Sequence, residues 1–425
     1  MAYQIHTFGC KVNTYDTGLL QKRFEKTELG QNETRVHILN TCAVTAEATK
    51  EAVKLVRRLK ARDPFCKVVV TGCAAQVDTG SFELPGADLV VGNSHKGQLE
   101  ELIRKLLNGQ LEGRVFRENI FRKLDLEEGG GVESDHSRSF LKIQDGCNSF
   151  CTYCVIPFAR GRSRSIPAAY LAGRVNQLYS DGVREVVLTG VHIGDYECPA
   201  TKTGLEGLMQ TLLEKTTMPR FRLSSLEPVE LSENMLDIYS GSGRFCPHFH
   251  MSIQSANTKV LADMKRKYTA EDVERALTRI EERVPGAFVG MDVIVGFPGE
   301  TAEEFEDTYA RLEKLPWSRI HVFPYSSRPG TKAAQFENAV PQNEIRERSK
   351  RLRMLSAERL HQQARLQIGS LKTVLGLKDG SALSRDYWAV RSNEPSWSPN
   401  TESRVAITGY RFESGERVWL EARPV

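Results

Sequence analysis

The feature that most constrains this chain is a loop with three closely spaced cysteines, Cys147, Cys151 and Cys154. Three residues separate the first pair and two separate the second, so one loop can present three thiolates to one face of an iron–sulfur cubane. A closed structural zinc site needs a fourth cysteine or histidine, and His136 and His192 are weak alternatives for that place. The loop therefore predicts a four-iron cluster with one open iron position.

A second set of cysteines lies at matching points of the N-terminal region. Cys10, Cys42 and Cys73 each follow a short apolar run, and helical stretches alternate with these runs, which predicts a parallel sheet with crossover helices. Because the carboxyl ends of parallel strands share one edge, the three cysteines are expected to converge there. Cys66 precedes the run that Cys73 follows, so we expect it at the opposite edge.

For any one of these three cysteines taken alone, a small buried thiol is the more common role. Their repetition at three strand ends favours a second cluster instead. Helix N-termini follow Cys10 and Cys42, and the positive ends of the helix dipoles would stabilise an anionic thiolate cluster there.

The alternation of apolar and helical segments predicts an α/β protein of three domains. Residues 1–120 form a parallel-sheet α/β domain, 121–136 a linker, 137–365 a partial barrel of six βα units with a connecting helix, and 366–425 a small antiparallel β-barrel. The six barrel strands are predicted at Phe140–Gln144, Val183–Thr189, Arg220–Ser224, His248–Ile253, Val289–Val295 and Arg319–Phe323.

Composition adds the cellular setting. The N-terminus lacks a secretion signal and the chain has no apolar run long enough to span a membrane, so its nine cysteines indicate metal ligation in a reducing cytoplasm. We expect a cytoplasmic monomer without a membrane partner. The net charge of +4 permits a polyanionic partner but does not establish one.

At the cysteine loop, with Tyr153 beside Cys154, the chain resembles the radical S-adenosylmethionine superfamily. In that superfamily the open iron of a [4Fe-4S] cluster chelates S-adenosylmethionine, and an electron cleaves it to a 5′-deoxyadenosyl radical. The resemblance implies a cluster on the three loop cysteines, S-adenosylmethionine beside it and a protein that donates the electron.

The resemblance becomes closer over four stretches, and these resemble the methylthiotransferase family: Phe8–Asn13, Asn40–Thr45, Thr71–Ala74 and Gly146–Ser165. In that family the N-terminal domain holds an auxiliary [4Fe-4S] cluster, which the resemblance places on Cys10, Cys42 and Cys73. The small C-terminal barrel corresponds to the family's TRAM domain, which binds RNA.

Two short segments distinguish the branches of that family. Cys10-Lys11-Val12-Asn13 and Arg160–Ser165 look most like the enzymes that act on N6-threonylcarbamoyladenosine in the anticodon loop of tRNA, at position 37. The implied reaction uses two molecules of S-adenosylmethionine to place a methylthio group on C2 of the adenine. Alternative substrates are isopentenyladenosine or a ribosomal-protein aspartate, and a more distant alternative is a non-catalytic, metal-containing RNA-binding protein.

Further site residues are predicted on the same face of the barrel. The residues expected near S-adenosylmethionine are Tyr153, Gly190, Glu227, Gln254, Gly296 and Pro298. Glu227 is a candidate for the ribose hydroxyls, and Gly296 for close approach of the backbone to a ligand. Arg160, Arg162 and Arg164 are predicted to bind the substrate, and Arg162 to pair with the threonylcarbamoyl carboxylate. Contact with RNA phosphates, or a solvated segment, is the alternative for these arginines.

Overall fold

The structure is a computed structural model that describes residues 3–25, 35–123, 126, 137–392, 397–413 and 417–425. The linker predicted at 121–136 lies mostly outside these residues, and His136 lies outside them as well. No helix among the described residues is long and apolar enough to cross a membrane.

The N-terminal domain is a five-stranded parallel sheet with strands in chain order. Its strands are β1 (Tyr3–Thr7), β2 (Val36–Thr41), β3 (Lys67–Gly72), β4 (Leu89–Gly92) and β5 (Val115–Phe116). The intervening helices are α1 (Lys11–Glu25), α2 (Ala46–Arg62), α3 (Cys73–Val77), α4 (Gly80–Glu83) and α5 (Leu99–Leu107). Thr7 pairs in register with Asn40, and Asn40 with Thr71, so the carboxyl ends of β1, β2 and β3 are level.

The central domain is the predicted partial barrel. Its strands are β6 (Arg138–Lys142), β9 (Glu185–Thr189), β10 (Arg220–Leu223), β11 (His248–Gln254), β12 (Phe288–Val295) and β13 (Arg319–Pro324). They pair in parallel in the order β6–β9–β10 and β11–β12–β13. Two isolated parallel bridges connect the β10 and β11 segments, Phe221 with Phe245 just before β11 and Leu226 just after β10 with Met251. Among the described residues no pairing joins β6 to β13, so the barrel is open on that side.

Helices cover the outside of the barrel: α7 (Ala168–Ser180), α8 (Leu205–Lys215), α9 (Glu233–Ser242), α10 (Thr258–Asp263), α11 (Ala270–Arg283) and α12 (Ala302–Lys314). Several begin at side-chain caps; Thr301, for example, accepts a hydrogen bond from the backbone of Glu304 at 3.2 Å. The sequence analysis did not predict the cysteine loop's own short elements: β7 (Gln144–Asp145), α6 (Ile156–Arg160) and β8 (Arg164–Ser165), with β7 and β8 paired antiparallel.

Two helices border the open side. Helix α1 packs against β6, and helix α13 (Gln342–Leu366), the predicted connecting helix, packs along β13. The Ser356 hydroxyl of α13 lies 2.9 Å from the backbone nitrogen of Ile320 and 3.2 Å from its carbonyl oxygen, so it satisfies the free edge of β13. The N-terminal domain thus sits beside the barrel opening.

The C-terminal domain is a closed barrel of β14 (Leu371–Gly376), β15 (Ala382–Ser384), β16 (Ala389–Ser392), β17 (Glu402–Glu413) and β18 (Arg417–Pro424). One detail of the prediction is wrong, since β16 and β18 pair in parallel while the other pairs are antiparallel. This barrel closes the amino-terminal end of the central one: Arg222 donates to the Ser384 carbonyl at 2.8 Å, and Tyr387 stacks on His248 with ring centroids 3.8 Å apart.

Candidate active site between two cysteine clusters

The three loop cysteines are brought together just beyond the carboxyl end of β6. Burial, and then the charge of Cys151, raises the pKa of Cys154 to about 12. Arg266 donates a hydrogen bond to the Cys151 sulfur at 3.2 Å, and the His192 ring lies 3.8 Å from the Cys147 sulfur. Burial opposes ionisation of Cys147 as well, but hydrogen bonds from His192 and Ser149 outweigh it and lower its pKa. Three converging thiols with cationic neighbours form a donor set that suits a metal cluster.

The second set converges at the carboxyl edge of the N-terminal sheet. Cys10 and Cys42 stand just past β1 and β2, and Cys73 begins α3 directly after β3. Burial, and then the charge of Cys73, raises the pKa of Cys42 to about 12. Cys42 and Cys73 are buried while Cys10 is exposed, so the set opens toward one side.

Gly9 and Cys66 show how the backbone places the cysteines at this edge of the sheet. Gly9 adopts a φ of +88°, and a Cβ placed on it would stand 2.5 Å from the sulfur of Cys42, so a larger residue would displace that thiol. Cys66 lies at the other end of β3, buried below the sheet, as the strand-end argument predicts. The sheet therefore separates one cysteine from the converging three.

Arg160 connects the two cysteine sets. It ends α6, which follows the loop that carries Cys147, Cys151 and Cys154 and packs against α3 of the N-terminal domain. Its Nε lies 3.2 Å from the Cys73 sulfur, and its other nitrogens donate to Asp145 at 2.9 and 3.0 Å, to Asn13 at 2.6 Å and to Asp16 at 3.0 Å. Every guanidinium donor is thus used within the protein. The side chain predicted to bind substrate instead holds two domains together.

A buried charge network continues from this contact. Asp16 also accepts from Lys142 at 2.7 Å and from Lys96 at 3.0 Å. Burial opposes ionisation of Asp16, but Lys142, Lys96 and Arg160 outweigh it and hold the pKa of that carboxyl well below its usual range. The network therefore consists of charged partners from both domains.

The other two predicted arginines have different environments. Arg164 donates to the backbone carbonyls of Arg160 at 2.7 Å and of Lys123 at 3.3 Å. Arg162 is exposed, and within the described part of the chain its guanidinium has no protein partner. Arg162 is thus the member of the set whose charge faces solvent.

The residues predicted near S-adenosylmethionine lie at the carboxyl edge of the barrel. Glu227 is 3.0 Å from Arg266, which contacts the sulfur of Cys151, and burial raises the pKa of Glu227. Tyr153 packs edge-to-face on Phe297 with ring centroids 6.5 Å apart. The others follow their strands: Gly190 after β9, Gln254 at the end of β11 with a φ of 60°, and Gly296 and Pro298 after β12.

For one of these residues the structure supplies a packing reason. Gly296 has a φ of +75°, and a Cβ there would lie 2.3 Å from Cγ1 of Ile345 in α13. Close packing of that helix is therefore sufficient to require glycine at this position.

Sequence reasoning missed a group of polar side chains inside the barrel. His250 lies 2.9 Å from Asp292 and 2.8 Å from the Ser225 hydroxyl, and the ring of His321 is 5.7 Å from the ring of His250. A signal for this group was present in the sequence. His248 and His250 are two residues apart in β11, and such positions point to the same face of a sheet. The sequence motif that contains Lys11 gave no indication that its charge, at the start of α1, would lie near this group.

Comparison with known proteins identifies the class. Residues 141–312 match the radical SAM superfamily, and residues 2–92 match a family described as uncharacterized protein family UPF0004. The partial barrel with its three-cysteine loop therefore defines a radical S-adenosylmethionine enzyme.

Curated relatives define the family. The threonylcarbamoyladenosine tRNA methylthiotransferase MtaB of Aquifex aeolicus is 34% identical over 397 residues, 91% of this chain and 95% of the relative. That of Bacillus subtilis is 36% identical over 363 residues, 83% of this chain and 79% of the relative. A tRNA-2-methylthio-N(6)-dimethylallyladenosine synthase of Corynebacterium jeikeium is 32% identical and covers 89% of this chain and 77% of the relative. The chain belongs to the radical S-adenosylmethionine methylthiotransferase family, whose cofactors are S-adenosylmethionine and two [4Fe-4S] clusters.

A solved structure supports the fold. The radical S-adenosylmethionine methyltransferase TsrM of Kitasatospora setae, with cobalamin and a [4Fe-4S] cluster bound, superposes with a TM-score of 0.56 at 14% identity. The match covers 78% of this chain and 76% of TsrM. At this level of identity the likeness concerns the fold alone, and it extends over most of the chain.

Proposed function

We propose that this enzyme converts N6-threonylcarbamoyladenosine at position 37 of tRNA to its 2-methylthio derivative. The observation that carries the proposal is two three-cysteine sets on facing domains, linked through the contact of Arg160 with Cys73. The relatives named for the threonylcarbamoyl substrate are 34–36% identical to this chain, against 30–32% for those named for the dimethylallyl substrate.

Each cysteine set would hold one [4Fe-4S] cluster. Cys147, Cys151 and Cys154 supply three thiolates to the first, and Cys10, Cys42 and Cys73 supply three to the second. When bound, the first cluster and S-adenosylmethionine would supply the radical chemistry that activates C2 of the adenine, and the second cluster would supply the methylthio sulfur. Three ligands per set leave one position on each cluster for a non-protein ligand.

The chain's own side chains would seat the cofactor between the clusters. Arg266 donates to the sulfur of Cys151 and pairs with Glu227, whose carboxylate would accept hydrogen bonds from the ribose hydroxyls. Tyr153, Gly190, Gln254, Gly296 and Pro298 would form the rest of the binding edge. Desolvation at this edge keeps water from a radical generated there.

The RNA would approach the exposed side of the two cysteine sets. A base in an anticodon loop can be splayed out without melting a long duplex, so it can enter between the domains. Arg162, which faces solvent, and the C-terminal barrel would contact the RNA. We further propose that the enzyme works in the cytoplasm as a monomer and takes its electrons from a donor protein.

Mass spectrometry of tRNA nucleosides from cells with and without this protein tests the proposal. The methylthio form of threonylcarbamoyladenosine should disappear without the protein and return when it is restored. Loss of the methylthio form of isopentenyladenosine, or of methylthio-aspartate in a ribosomal protein, would assign the enzyme to another branch. If reduced, cluster-loaded protein left S-adenosylmethionine intact, the non-catalytic alternative would be correct.

A further inference from the structure

The interior of the central barrel carries a group of polar side chains that the proposed radical chemistry does not use. His250 on β11, Asp292 on β12 and His321 on β13 lie on one face, and their potential ligand atoms are all within 4.8 Å of one another. Ser225 closes the group through its 2.8 Å contact with His250. All four residues are half-buried, so part of each remains accessible to a ligand.

Lys11 reaches this interior from the N-terminal domain. It is the first residue of α1, which packs against β6 at the open side of the barrel. Its charge interacts electrostatically with Asp292 on β12 and with Arg138 and Arg222 on β6 and β10. Within the described part of the chain, no carboxylate forms an ion pair with its ammonium group, and Asp292 is already held by His250.

The remaining charges of the interior leave it positive. Glu185 is shared by three arginines, with Arg138 at 2.5 Å and Arg220 and Arg222 at 2.9 Å. Glu402 of the C-terminal barrel takes a second contact with Arg220 at 3.0 Å. With Lys11 and Asp292 added, the cations outnumber the carboxylates, so an anionic ligand would balance the interior.

The buried side chain of His248 has an unsatisfied hydrogen-bonding atom. His248, two residues before His250 on the same face of β11, is only 4% exposed, and its Nδ1 has no hydrogen-bond partner. A buried polar atom without a partner is costly, and a ligand that brings donors and acceptors can repay that cost. The polar group therefore extends from His321 at the opening toward the floor formed by Tyr387.

We propose that this interior binds the N6 substituent of the target adenosine, with the Lys11 ammonium pairing with the substituent's carboxylate. His250 and His321 would contact its hydroxyl and ureido groups. This inference rests on the proposed function and identifies what selects the substrate. Asp292 lies three residues before the end of β12, roughly 10 Å below the edge, so a long substituent reaches it while the purine stays near the clusters.

The chemistry of the alternative substituents supports the choice. The threonylcarbamoyl group carries a carboxylate, a hydroxyl and a ureido group, whereas an isopentenyl group carries none of them. An apolar chain in this interior would leave the Lys11 ammonium desolvated and without a counter-charge, and sites of that kind reject such analogues strongly. Arg162, the partner predicted from sequence, faces solvent, where a carboxylate contact would gain less.

Binding of anticodon stem-loops to the cluster-loaded enzyme tests the inference. Wild-type protein should prefer the threonylcarbamoyl loop over the unmodified loop, and Lys11→Met should reduce that preference roughly ten- to a hundredfold, as for loss of a charge-assisted contact. Lys54→Met, at a lysine with a 66% exposed side chain on α2, is the matched control and should keep the full preference. An unchanged preference in Lys11→Met would overturn the inference.

A substrate-side measurement covers the case in which Lys11→Met fails to fold or to load iron. A stem-loop whose threonylcarbamoyl carboxylate is esterified should bind wild-type protein as weakly as the unmodified loop. Full-strength binding of the ester would overturn the role of the carboxylate. If wild-type protein showed no preference for the threonylcarbamoyl loop at all, the proposed function itself would fail, which is a different result from a preference that survives Lys11→Met.

Discussion

Arg160 Nε donates to the sulfur of Cys73 at 3.2 Å, although the two residues belong to different domains. The same loop that supplies Cys147, Cys151 and Cys154 therefore also supplies a hydrogen bond to the second cysteine set. Asp16 and Asp145 also accept hydrogen bonds from the guanidinium, so carboxylates of both domains hold it in place.

Replacing Arg160 by Gln should destabilise the chain by about 3–5 kcal/mol, because removing one member of a buried ion-pair network leaves its partners uncompensated. It should also make the auxiliary cluster harder to reduce, since a positive charge and a sulfur hydrogen bond are both lost. Thermal unfolding and an electrochemical titration measure the two effects. Arg162→Gln, two residues away and exposed, is the control. Equal potentials in both variants would show that Arg160 does not act on the cluster.

The charge network predicts a loss of stability in acid. Burial opposes ionisation of Asp145, but Arg160 and Lys142 outweigh it and hold its pKa below the ordinary value, as Lys142 and Lys96 do for Asp16. A depressed pKa stabilises the folded state above the unfolded pKa, about 3.9, and this contribution is lost as pH falls. Melting temperature should begin to drop at about pH 5 and continue to fall below about pH 3, and less steeply in Asp145→Asn. Parallel pH curves for the two proteins would contradict this.

The two cysteine sets should each account for half of the bound iron. Reconstituted protein should carry about eight irons, and replacing Cys147, Cys151 and Cys154 by Ala should halve that number and abolish cleavage of S-adenosylmethionine. Cys66→Ala should retain all the iron, because its thiol lies at the opposite end of β3. If Cys66→Ala lost as much iron as Cys73→Ala, the assignment by strand ends would be wrong.

Replacing Cys10, Cys42 and Cys73 by Ala should separate the two halves of the reaction. The loop with Cys147, Cys151 and Cys154 belongs to the central domain, which this variant leaves intact, so 5′-deoxyadenosine should still form. No methylthiolated nucleoside should appear, because the sulfur-bearing site is gone. Chromatography of both products from one reaction makes the comparison, and full methylthiolation would remove the second cysteine set from the mechanism.

The cysteine sets could be predicted from sequence because strand ends are visible as apolar runs, and parallel strands align their carboxyl ends. The environment of Arg160 could not be predicted, since its partners Asn13, Asp16, Cys73 and Asp145 come from separate segments that only the domain interface joins. The strands Ala382–Ser384 and Ala389–Ser392 could not be predicted, because they are too short to show an alternation of apolar and polar residues.

The last prediction concerns Arg162, whose exposed side chain lies a few residues beyond the cysteine loop. The sequence predicts that it pairs with the carboxylate of the substrate, whereas its exposure is typical of a phosphate contact. Because a phosphate contact does not depend on the base, Arg162→Ala should weaken binding of the threonylcarbamoyl and unmodified stem-loops alike. It should also lower the slope of log affinity against log salt by about one.

Measured beside Lys11→Met, this variant separates the two roles. Lys11→Met should alter the preference between the two RNAs with little change in salt dependence, and Arg162→Ala should do the reverse. A selective loss for the threonylcarbamoyl loop in Arg162→Ala, with Lys11→Met unaffected, would move the carboxylate from the barrel interior to the loop surface. That result would leave the cysteine assignments unchanged. Among the described residues, the arginines that donate to cysteine sulfurs are Arg160 and Arg266, not Arg162.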